Sequence, residues 1–294
     1  MSSNVIFNNK IITIIIHIKF LIVFKLLSLI LQRESFMDLG IKGKKAIVCA
    51  SSRGLGFGCA EALAKAGVSL TICARTKEDI EKAADQLSSH NVKITAIACD
   101  ITTEEGINKI LEACDSPDIL INNAGGPPPG IWSDWVREDF LKALNSNMLT
   151  PIDLIKKVLP IMIEKKWGRI VNITSQAVKA PVPALGLSNS ARTGLTGYVA
   201  GTSRQVARFG VTINNLLPGM HDTRRLIDLD EAMSKEKKIS FEEARNLRKD
   251  TIPIGRYGTI EEFGNTCAFL CSQHSGFIVG QNILLDGGAV NSTI

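Results

Sequence analysis

From Met37 onward the chain alternates short runs rich in β-branched residues with longer amphipathic ones, and this alternation restricts its fold more than any other feature. The runs KAIVCA (45–50), VSLTICA (68–74), VKITAIA (92–98), DILI (118–121), RIVNIT (169–174), VTINNLL (211–217) and NILL (282–285) read as seven strands. Helical patterns such as GCAEALAKAG and EDIEKAADQLSS lie between them. Strands separated by helices cannot pair as hairpins, so the expected class is α/β, a parallel sheet covered by helices on both faces. Right-handed crossovers make such a sheet a doubly wound Rossmann domain, with its ligand site at the carboxyl ends of the strands. No internal repeat or linker divides residues 37–294, which are expected to form one domain. The stretch from about 220 to 251 breaks the rhythm, being charged and helical in propensity. It follows a strand end, so it reads either as a lid over the binding cleft or as a solvated helical insertion.

Charge and cysteine usage narrow the function. The formal net charge is +5, but residues 1–36 contribute +3 of it through Lys10, Lys19, Lys25 and Arg33 against Glu34. The remainder is too nearly neutral for a nucleic-acid footprint. Seven scattered cysteines, with no C-x-x-C pair, read as reduced core residues of a cytoplasmic protein and not as disulfides or metal ligands. Residues 1–36 differ in kind, with an apolar run from Ile11 to Leu31. That run is long enough to cross a bilayer, although Lys19 and Lys25 inside it are costly there. Three readings of this extension stay open: translated upstream sequence with Met37 the true start, a membrane anchor, or a disordered tail. A membrane partner is expected only if residues 11–31 are a real anchor.

The first strand runs into CASSRGLGFG (49–58) and then a helix. Glycines at 54 and 56 let the backbone approach a diphosphate, and the following helix presents N–H donors and its positive dipole end. Ala50, Ser52, Arg53, Gly54, Leu55 and Gly56 are therefore candidates for a dinucleotide cradle. The second strand ends in Ala74-Arg75, without the carboxylate that would bind the ribose 2′-hydroxyl of NAD. A guanidinium suits a 2′-phosphate by charge and by its fork of donors, so Arg75, with Arg53 in the turn, points to NADP.

The turn resembles the T-G-x-x-x-G-x-G turn of the short-chain dehydrogenase/reductase family, with Cys49 and Ala50 in place of its threonine and first glycine. An alanine fits there without strain only at negative φ. Further motifs carry the resemblance along residues 40–288. Asp100-Ile101 resembles the family's adenine-contacting pair, Asn122-Asn123-Ala124-Gly125 its NNAG, and Pro218-Gly219 through Thr223 its P-G-x-x-x-T beside the nicotinamide. Ile252-Pro253, Gly255-Arg256, Gly280-Gln281 and Asp286-Gly287-Gly288 match its C-terminal pattern. The resemblance implies that Asp100, Ile101, Asn123, Ala124, Gly125, Pro218, Gly219 and Thr223 contact the cofactor. It also implies a homotetramer.

The family's catalytic set is Asn, Ser, Tyr and Lys, the last two spaced as Y-x-x-x-K. Counting thirteen residues back from Pro160 places the asparagine at Asn147, with Asn145 the runner-up; the serine falls on Ser175, the second hydroxyl of NITS and thirteen residues before Ser188. The tyrosine position falls on Ser188 and the lysine position on Arg192, within LSNSARTGL (187–195). From the residues alone, Ser188 also reads as a helix N-cap. A serine hydroxyl is far less acidic than a phenol, and a guanidinium is no useful proton donor. Arg192 would instead hold the nicotinamide ribose and stabilise developing negative charge. Tyr198 lies ten residues beyond Ser188, about 15 Å by helical rise, and Tyr257 lies in a C-terminal loop. Pro151 lacks an N–H, so the Asn147 carbonyl loses its helical partner and a kink is expected there. That carbonyl could hold a water able to carry the proton. The loop GGPPPG (125–130) reads as a rigid wall beside the nicotinamide or a stiff turn. The resemblance is nearest to 3-oxoacyl-acyl-carrier-protein reductases with an altered tetrad. The expected function is thus NADP-dependent interconversion of a carbonyl and a secondary alcohol, on a small-molecule carbonyl or acyl-thioester substrate. The alternative is an NADP-binding sensor or scaffold without catalysis.

Overall fold

The structure, a computed structural model, describes residues 17–20, 22–23 and 37–292. Residues up to Asp38 form one unit and Leu39 onward another. Residues 17–20 and 22–23 are helical, and the rest of the apolar run 11–31 lies outside the described residues. Among the described residues no helix is long and apolar enough to cross a membrane.

All seven expected strands form, as one parallel sheet in the order β3-β2-β1-β4-β5-β6-β7. They are β1 (Lys45–Val48), β2 (Ser69–Ala74), β3 (Ile94–Ala98), β4 (Ile119–Asn122), β5 (Gly168–Ile173), β6 (Val211–Pro218) and β7 (Asn282–Leu285). The order reverses between β1 and β4, which opens a crevice at their carboxyl ends. Successive residues point to opposite faces. In β1, Ala46 and Val48 join one core cluster while Ile47 joins the other. Helices α1 (Gly54–Lys65), α2 (Lys77–Leu87) and α9 (Ile260–Leu270) cover the first face. On the second lie α3 (Glu104–Ala113), α5 (Thr150–Glu164) and α6 (Gly186–Val206). The seven cysteines are free, and all but Cys99 are buried.

Four asparagines tie the strand ends together. Asn122, Asn172, Asn215 and Asn282 are register partners on β4 to β7. Asn122 Nδ2 donates to Asn172 Oδ1 (2.8 Å), Asn172 Nδ2 to Asn215 Oδ1 (3.0 Å), and Asn215 Nδ2 to Asn282 Oδ1 (2.8 Å). The two inner amides, Asn172 and Asn215, each accept from one neighbour and donate to the next, a pattern that only exact register permits.

Candidate active site

A cleft of about 1190 Å³ opens at the carboxyl ends of the strands. The glycine turn after β1, the ends of β2 to β6, the Pro127–Pro129 loop and the start of α6 all line it. Every residue singled out from sequence for catalysis or cofactor contact lines this cleft, except Gly56 and Asn147, which lie just behind it. The run 45–50 ends as a strand at Val48 because Ala50 turns the chain at φ +46°. The expected negative φ is therefore not found. The alanine takes the left-handed region, at a cost of about 1–2 kcal/mol. The turn is held closed by Asn123, whose Nδ2 donates to the Ala50 carbonyl at 3.0 Å. Gly56 sits beneath it, where an added Cβ would fall 2.4 Å from that carbonyl oxygen. The Thr223 side chain lies near Gly54, where an added Cβ would fall 3.6 Å from its methyl.

These features suit a dinucleotide. A backbone cradle lies at the N-terminus of α1, and the exposed Arg53 and Arg75 stand free of ion pairs among the described residues. The Gln176 Oε1 and Thr174 Oγ1 atoms on the lining residues are buried without a hydrogen-bond partner. Asp100 accepts from the Thr102 N–H and hydroxyl, and these bonds hold its carboxyl below the usual range.

Ser188 is not a helix cap. The helix α6 starts at Gly186, and Leu185 occupies the cap position, so Ser188 is already inside the first turn. Its side chain faces the cleft and makes no hydrogen bond among the described residues. Ser175 Oγ, at the end of β5, accepts from the Ala177 N–H (3.1 Å). Arg192 lies one helical turn beyond Ser188 and is buried. Its guanidinium donates to the Ile173 carbonyl (2.7 Å) and, more weakly, the Ala124 carbonyl (3.5 Å). Burial, with help from the Arg225 charge, pushes its pKa down to about 10, so it remains a cation at neutral pH. Neither tyrosine lines the cleft. Tyr257 is buried elsewhere, its hydroxyl 3.1 Å from both Asp230 carboxylate oxygens.

Helix α4 (Arg137–Leu144) continues into α5 through a π-helical turn, Asn145–Leu149, in which the Thr150 N–H bonds to the Asn145 carbonyl. The expected irregularity is present, as a widened turn beginning before Pro151. The turn points Asn145 and Asn147 in different directions. Asn145 Nδ2 donates to the Thr102 carbonyl (3.2 Å), whereas Asn147 is buried, with Nδ2 on Ser146 Oγ (2.6 Å). Asn147, Asn122, Pro151 and Arg192 line a cavity of about 10 Å³, the room one water needs. The Oδ1 atoms of Asn147 and Asn122 are buried without partners.

Sequence reasoning missed Arg225, Gln176 and the asparagine ladder. Arg225 carries no motif, and the ladder is visible only once strand register is known.

Residues 49–290 match the family described as enoyl-(acyl carrier protein) reductase. The chain is 32% identical over 259 residues to the 3-oxoacyl-acyl-carrier-protein reductase FabG of Aquifex aeolicus, covering 86% of this chain and 99% of that one. It is 31% identical over 255 residues to the NADPH-dependent reductase BacG of Bacillus subtilis, covering 85% and 98%. The crystal structure of L-sorbose reductase from Gluconobacter frateurii, complexed with NADPH and L-sorbose, superposes with a TM-score of 0.84 at 26% identity, covering 87% of this chain and all of that one. With its doubly wound sheet, glycine turn and ordered motifs, the chain belongs to the short-chain dehydrogenase/reductase family of oxidoreductases.

Proposed function

We propose that this chain is an NADP-dependent oxidoreductase that interconverts a carbonyl and a secondary alcohol. The observation that carries this reading is the convergence of Ser175, Ser188 and Arg192 on the cleft that also holds the glycine turn. Bound NADPH supplies the hydride. Ser175 donates a hydrogen bond to the carbonyl oxygen, and Arg192 stabilises the negative charge that grows there. Ser188 is too weak an acid to serve as a phenol would, so it relays a proton instead of originating one. The one-water cavity between Asn147 and Arg192 supports that route, because Asn122 and Asn147 offer a water two otherwise unpaired acceptors. Arg53 in the glycine turn and Arg75 just after β2, both lining the cleft without an ion pair among the described residues, favour NADPH over NADH.

The segment 220–251 acts as the lid of the cleft. It folds into α7 (Arg224–Lys237) and α8 (Phe241–Lys249), and Met220, Thr223 and Leu226 line the site. Buried Asp230 on α7 receives Arg248 of α8 (2.7 Å) and Tyr257, so the two helices move as one piece. We propose a homotetramer in the cytoplasm as the working form; exposed apolar residues such as Phe277 and Leu149 support association between subunits. The absence of a tyrosine from the cleft favours a second reading, an NADP sensor or scaffold.

An NADPH-oxidation screen of the purified protein against ketones and 3-oxoacyl thioesters separates the two. The enzyme reading expects turnover that falls by about 10²-fold in Arg192→Ala while NADPH still binds. Binding of NADPH with no turnover on any carbonyl compound would leave only the sensor.

A further inference from the structure

The cleft lined by Ser175 and Ser188 also holds two cations, Arg192 and Arg225, that no carboxylate pairs with among the described residues. Arg192 is buried, and its partners are two main-chain carbonyls, those of Ile173 and Ala124. Arg225, in the first turn of α7, donates to the Pro127 carbonyl (3.4 Å) and lies against Gly126, where an added Cβ would fall 2.4 Å from its Nη1. Ala124 and Pro127 are three residues apart on one loop, so the two guanidinium groups bracket that loop. The Arg225 charge adds to burial in lowering the Arg192 pKa. No carboxylate pairs with either among the described residues, although the neighbouring Arg224 is satisfied by Asp228 and Glu231. Three acids line the cleft among the described residues, and none pairs with Arg192 or Arg225: Asp79 lies in the first turn of α2, beyond the end of β2, and the other two are engaged locally. Asp100 accepts from Thr102, and Asp139 caps α4 through the Val136 N–H (3.0 Å). Two like charges held on neutral carbonyls, one of them desolvated, are unfavourable until an anion lies between them.

We propose that Arg192 and Arg225 together bind the carboxylate of a compact oxo-acid and so place its carbonyl at Ser175 and Ser188. The inference rests on the reductase reading above and narrows its substrate class. The diphosphate of the cofactor has its own cradle at the glycine turn and the α1 N-terminus. In an acyl-carrier thioester the anionic group sits at the far end of a long arm, whereas here both cations line the same cleft as the two serines. Because Arg225 belongs to the lid segment and Arg192 to the sheet-packed α6, the carboxylate would also draw the lid onto the core.

The test uses the full chain saturated with NADPH. Acetoacetate and its ethyl ester, which differ in charge at the same ketone, are titrated against the fluorescence of bound NADPH. Wild type is expected to bind the acid about tenfold or more tightly than the ester, the scale of a charge-assisted hydrogen bond. Arg225→Gln should abolish that preference while NADPH affinity stays within about threefold. Equal binding of acid and ester by the wild type, or failure of acetoacetate to bind, overturns the proposal. So does a preference that survives Arg225→Gln. If Arg225→Gln instead weakens NADPH about tenfold and no acid preference exists, the anion is the cofactor diphosphate and the proposal is overturned. The titration requires no turnover, so the two readings fail separately. An acid that binds preferentially in a protein that reduces no carbonyl compound sinks the reductase alone, and an ester reduced as efficiently as its acid sinks the carboxylate site alone.

Discussion

Replacing Asn172 by alanine removes the second rung of the asparagine ladder, and the cost can be worked out from its two bonds. Asn172 is fully buried on β5, accepts from Asn122 at 2.8 Å and donates to Asn215 at 3.0 Å. Alanine strands the Asn215 Oδ1 and leaves Asn122 Nδ2 only the Pro151 carbonyl at 3.4 Å. A buried polar group left unpaired costs about 1–3 kcal/mol. Two such groups, one with a weak fallback, give a loss of about 2–4 kcal/mol, a large part of a stability of about 5–15 kcal/mol. The assay is urea unfolding, read as a lowered midpoint at unchanged slope. Asn172→Asp checks the chemistry. Its carboxylate still accepts from Asn122 but presents an acceptor to the Asn215 oxygen, so the folded state must keep it protonated. Burial then raises its folded pKa above the unfolded value of about 3.9. Below that pH both states are protonated, the O–H replaces the lost donor, and stability approaches wild type. Above it the unfolded chain releases the proton first, and stability falls by about 1.4 kcal/mol per pH unit until the folded pKa is reached. Relative to wild type, Asn172→Ala should be flat over the same range. An alanine variant within about 0.5 kcal/mol of wild type, or an aspartate variant with no such slope, would refute the ladder as a stabilising unit.

Gly56→Ala drives a methyl to 2.4 Å from the Ala50 carbonyl and 2.7 Å from Asn123 Nδ2. Overpacking of this kind costs about 1–3 kcal/mol, and opening the turn should weaken NADPH about tenfold or more; an unchanged Kd by fluorescence titration counts against the cradle. Arg75→Ala should weaken NADPH by about tenfold and leave NADH nearly untouched, so the ratio of the two affinities collapses. Equal losses for both cofactors would assign Arg75 to something other than the 2′-phosphate.

How much of this was legible before folding follows from the range of each interaction. The seven strands could be read because a residue's preference for a buried pleated strand is set by itself and its near neighbours. The glycine turn was carried by its spacing after the first strand, and the assignment of Ser175, Ser188 and Arg192 by the resemblance to the family's motifs. Details that depend on where the backbone is pulled could not be read. Ala50 takes a positive φ because Asn123, 73 residues away, bonds to its carbonyl. The helix meant to be capped by Ser188 begins at Gly186, which leaves that hydroxyl free to face the cleft. Pro151 announced an irregular helix, but its π-helical form separates the roles of Asn145 and Asn147. Arg225 and the asparagine ladder lie beyond sequence reading altogether. Each asparagine is an unremarkable polar residue in its own strand, and only parallel pairing in one register makes the four a hydrogen-bonded chain. Arg225 is one arginine among several in a charged segment. Only the tertiary fold brings it to the loop that Arg192 also holds, because electrostatic interaction depends on distance through space and not on separation along the chain.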